Sequence, residues 1–149
     1  MDRVTARGLA ERVLRLDGPY QPDALTAAAG LVAELVRRLN RATADPAALP
    51  RPGAVYHVVG ELAGAVARLQ QLLTQLASRL QQWGTDPGQL RHAQHQHARD
   101  SVEFALLDLM HATADLHRAA GATDAAAVAL RAAHTHIGQI TLVDVDGAR

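Results

Sequence analysis

Apolar residues recur along this chain at helical spacing, and the longest run is its strongest pattern. Val55, Val59, Leu62, Val66, Leu69, Leu73, Leu76, Leu80 and Trp83 follow one another at alternating steps of four and three, the seam of a coiled-coil helix. Val58, Ala65 and Leu72 widen that seam, and only Glu61, Arg68 and Arg79 carry charge within it. A helix so poor in charge is expected to have neighbours on more than one side. Upstream, Ala6, Leu9, Val13 and Leu16 predict a short helix over residues 4–16, stopped by Asp17-Gly18-Pro19. A second helix is predicted over residues 22–44, with Pro22 and Asp23 in its first turn and Leu25, Ala28, Val32, Leu35 and Leu39 along its seam. Pro46, Pro50, Pro52 and Gly53 mark the linker that follows.

Beyond the long seam, Gly84-Thr85-Asp86-Pro87-Gly88 reads as a turn. A fourth helix is expected from Asp86 or Pro87 to Ala120, with Gly121 as its C-terminal cap. Its second half carries Ala98, Val102, Ala105, Leu109, Ala112, Leu116 and Ala119; its first half is polar and rich in histidine. Thr123 or Asp124 would then cap a fifth helix bearing Ala126, Leu130, Ala133, Ile137 and Ile140, and residues 140–149 would form a flexible or extended tail. The pattern therefore predicts an all-α fold: one domain over residues 1–149, a four- to five-helix bundle built on a long antiparallel hairpin of the third and fourth helices.

Composition sharpens this picture. The chain has 149 residues, 48% of them hydrophobic but only 3% aromatic, with fifteen basic residues balancing fifteen acidic ones. Alanine (31 residues) and leucine (21) dominate, lysine and cysteine are absent, and every basic residue is arginine. Lack of cysteine excludes disulfides, thiolate metal sites and a cysteine nucleophile. Zero net charge argues against a general nucleic-acid or membrane-surface binder. No stretch approaches the ~18 apolar residues of a membrane-spanning helix, and the N-terminus lacks the apolar core of a signal peptide, so a cytoplasmic location is expected. The wording of residues 55–80 resembles small uncharacterised helical-bundle proteins of actinobacteria, and all-arginine usage fits GC-rich coding.

Histidine is the one unusual reactive population: His57, His92, His95, His97, His111, His117, His134 and His136. Asp108, His111 and Asp115 share one helix face and would offer oxygen and nitrogen ligands to a metal. The bland reading of that face is ordinary helix-stabilising pairs. Glu-x-x-His and His-Glu-x-x-His motifs are absent. Arg91-His92-Ala93-Gln94-His95-Gln96-His97 resembles the Arg-x(4–6)-His motif of the HEPN superfamily, small helical bundles of which many cleave RNA. That resemblance, over seven residues, implies His97 acting in 2′-hydroxyl chemistry and Arg91 stabilising phosphate charge. Arg131 to His136 meets the same loose pattern, which shows how easily it arises. Nucleotide-cradling loops and serine elbows are missing. Local basic clusters (Arg3, Arg7, Arg12 and Arg15, then Arg37, Arg38 and Arg41) allow a DNA-associated regulator as a further alternative, without a recognisable helix-turn-helix.

The expected function is that of a non-catalytic helical interaction or regulatory protein, a homodimer or partner of another helical protein, needing no cofactor. Its interface is expected on Val59, Val66, Leu69, Leu73 and Leu76. A HEPN-like ribonuclease using Arg91 and His97 is the enzymatic alternative.

Overall fold

The computed structural model describes residues 21–93 and 98–140; the predicted helix over residues 4–16 and the tail beyond Ile140 lie outside the described residues. Among the described residues the fold is all-helical, with three α-helices and no strand. They are α1 (Pro22–Thr43), α2 (Pro52–Gly84) and α3 (Ala98–Ile137). Short 3₁₀ turns occupy Pro46–Ala48 and Pro87–Gln89. The chain divides into two compact units, Met1–Pro50 and Arg51–Arg149.

Within the first unit, α1 begins where the proline pattern places it. Pro22 fills its first turn, where the missing N–H costs nothing, Asp23 stands against the positive end of the helix dipole and Arg41 against the negative end. Glu34 receives a forked pair of hydrogen bonds from Arg37, at 2.7 Å each, and a third from Arg38 at 2.8 Å. These contacts, Arg37 first, hold the Glu34 carboxyl below its ordinary value. Asp45 accepts a hydrogen bond from the Ala47 N–H and starts the turn that follows.

In the second unit, Pro52 opens α2, and the helix runs without a break through the long heptad region to Gly84. Its partner is α3, and the two lie side by side in opposite directions. Gly60 meets His134 near one end of the pair, and Gly84 meets Leu109 near the other.

Two expectations are corrected here. The fourth and fifth helices are one: α3 passes straight through Gly121, which sits mid-helix in open space and caps nothing. A single glycine costs a helix only about 1 kcal/mol, and close to it Ala120 is buried and Thr123, two residues on, is half-buried. Nor does that helix start at Asp86 or Pro87; the 3₁₀ turn there gives way to non-helical backbone at Leu90 and Arg91.

The core also differs from the one the leucines suggest. Fully buried apolar residues are Ala63 and Ala77 on α2 and Ala120 and Ala127 on α3, with Thr113 and Ser101 buried among them. Small side chains let two helices approach closely, and spacings of seven or fourteen residues keep them on the shared seam. The leucine ridge of α2 lies one residue ahead of this seam, about 100° around the helix. Leu69, Leu76 and Trp83 are consequently 36, 47 and 55% exposed, and Leu72, farther around the helix, is 47% exposed. No described helix is long and apolar enough to cross a membrane.

Candidate interaction face and polar clusters

The five residues expected at an interface, Val59, Val66, Leu69, Leu73 and Leu76, all lie on α2. Val59, Val66 and Leu73 are half-buried beside the alanine seam, and Leu69 and Leu76 are exposed. Along the opposite flank of α2 run Gln71, Gln75, Arg68 and Gln82. The helix therefore presents its large apolar residues on one side of the α2–α3 pair only.

Two polar clusters lie at the ends of the pair; the first ties the connecting segment to α3, and the second joins α2 to α3. At the connecting turn, Ser101 is 2% exposed. Its Oγ accepts a hydrogen bond from the His92 N–H at 2.7 Å, and its hydroxyl donates to the His92 carbonyl at 3.4 Å. The His92 imidazole meets Asp108 through Nε2 at 2.9 Å and tilts against Phe104 at 6.0 Å between ring centres. Ser101 thus contacts His92 through that residue's backbone N–H and carbonyl. At the far end, the His134 ring stacks on Tyr56 with centres 3.8 Å apart. A Cβ on Gly60 would stand 2.8 Å from His134 Nε2, and one on Gly138 would stand 3.0 Å from the Tyr56 ring. His134 is thereby packed at the α2–α3 contact, whereas His111 is exposed. Ser101 escaped the sequence reading, since a lone serine in a polar stretch carries no periodic signal.

The proposed metal ligands do not converge. Asp108 turns to His92, Asp115 pairs with Arg118, and His111 faces solvent. Among the described residues no three histidine, aspartate or glutamate side chains are placed to share a cation. For the ribonuclease motif, Arg91 donates to the carbonyls of Gly88 and Leu90 at 3.1 and 2.6 Å, while His97 lies outside the described residues. Of the basic clusters, Arg37 and Arg38 are engaged by Glu34, and the arginines before residue 21 are outside the described residues. An open, mainly apolar groove is lined by Gly84, Leu106, Leu109, Met110, Thr113 and His117.

Comparison with protein-family models, with curated proteins and with solved structures gave no match.

Proposed function

We propose that this chain is a non-catalytic helical interaction protein of the cytoplasm whose α2–α3 hairpin forms part of a bundle completed by another helical chain, its own copy being the partner. The observation that carries this reading is the exposed ridge Leu69, Leu72, Leu76 and Trp83. It stands beside a seam that is already filled by Ala63, Ala77, Ala120 and Ala127. The ridge thus contributes little to holding the two helices together, and a row of large apolar side chains in water marks an interaction surface. Burying apolar area returns roughly 25 cal/mol per Å², so one such leucine is worth about 1–2 kcal/mol to an association that covers it fully. Val59, Val66 and Leu73 would line the inner edge of the same surface.

Leu76→Asp tests the reading. The charge stands in water in the separate chain, so helix content by circular dichroism should stay unchanged. Sedimentation velocity should show the wild-type dimer replaced by monomer. A variant that unfolds, or one that associates as the wild type does, would count against an interface on this ridge.

A further inference from the structure

The exposed leucine ridge has a matching feature beside it, and we infer that the ridge of α2 seats on an alanine row of α3 in a second copy, giving a face-to-face two-fold dimer. The inference rests on the self-association proposed above and specifies its geometry. On α2, Leu62, Leu69, Leu76 and Trp83 each precede a seam position by one residue; on α3, Ala112, Ala119, Ala126 and Ala133 do the same. In two helices that face each other in opposite directions, the same rotational offset points to the same side. A large row and a small row therefore lie next to each other on one face. With Gly60 against His134 and Gly84 against Leu109, each leucine or tryptophan stands within about one to two residues of the height of an alanine.

A two-fold axis parallel to the helices, lying in that face, keeps heights unchanged and exchanges left for right. It sets the partner's α2 over this copy's α3, and each large residue over an alanine at close to its own height, at four rungs one heptad apart. Every neighbouring pair of helices then runs antiparallel. Self-complementarity of this kind is what an isologous interface requires. The face is about 45 Å long and two helix widths, or about 20 Å, across. That gives roughly 900 Å² per copy, against the ~800 Å² per partner of a stable interface. Charge agrees: Arg79 and Asp115, both exposed, lie at one height on the outer edges of α2 and α3, so each Arg79 borders the partner's Asp115.

The cysteine-free chain allows a direct test. Leu76→Cys and Ala119→Cys are made as separate variants, mixed, and oxidised. Disulfide-linked dimer should form in the mixture, while each variant alone stays largely unlinked. Ala119→Trp, at an exposed position, should keep its helix content and weaken dimerisation at least tenfold. Linkage of Leu76→Cys chains to each other, no linkage in a mixture that still sediments as dimer, or undiminished dimerisation of Ala119→Trp would overturn this arrangement and leave self-association standing. A wild-type monomer at tens of micromolar would overturn both.

Discussion

At the scale of single residues, two glycines of the same type do opposite things. Gly121 has nothing within 4 Å of where a Cβ would stand. Gly121→Ala should stabilise the chain by about 0.5–1 kcal/mol through helix propensity alone, read as a shift of the urea midpoint. Gly60 is crowded by the His134 ring, which Tyr56 backs. Gly60→Ala should destabilise by about 1 kcal/mol as overpacking outweighs propensity, and in a His134→Ala background the sign should reverse. A sequence shows both as glycine within a helical pattern; only the neighbouring helix tells them apart. That is why Gly121 reads as a cap from sequence. His134 and His111 divide in the same way: each borders apolar positions along the chain, and only the position of Tyr56 selects the one that packs.

At the scale of elements, the start of α1 was legible because Pro22 acts locally, whereas Pro52 and Gly53, read as linker, instead open α2. The apolar side of α2 was legible too, since periodicity reports which residues share a side. Which side faces α3 was not. Hydrophobicity ranks leucine far above alanine, whereas close approach of two helices is won by the smaller residue. Ala127→Leu on the seam should therefore cost about 1–3 kcal/mol by chemical denaturation, more than Leu76→Ala costs the unassociated chain. Element α1 offers a pH test. The arginine contacts lower the Glu34 pKa from 4.5, so their stabilisation is complete above that value. It is lost as pH falls through the lower native value. The Glu34 carboxylate, followed by NMR, should titrate below an ordinary glutamate, and Glu34→Gln should abolish that share of the acid sensitivity of α1 helicity.

For the whole molecule, association and folding should be linked. A ligand that binds only the folded chain raises its melting temperature by mass action, and a second copy is such a ligand. The wild-type melting temperature should climb as protein concentration is raised from 1 to 100 μM, on the order of several degrees for a partner bound with micromolar affinity. Leu76→Asp should melt at one temperature throughout. The sequence conveyed that a long apolar surface exists and named the helix bearing it. It did not convey that α2 and α3 are complete as a pair without that surface, because this follows from the alanine seam. Likewise, the Asp108, His111 and Asp115 spacing suggested a shared target, and the chain instead gives two of the three separate partners, His92 and Arg118.

The alanine seam also bears on alignment. Its units recur every seven residues and are nearly alike, so its middle would fit almost as well after sliding by one repeat. What does not recur is at one end: the His134 ring wedged between Tyr56 and Gly60. The middle of the pair supplies adhesion, and its His134 end acts as the stop that fixes which rung meets which.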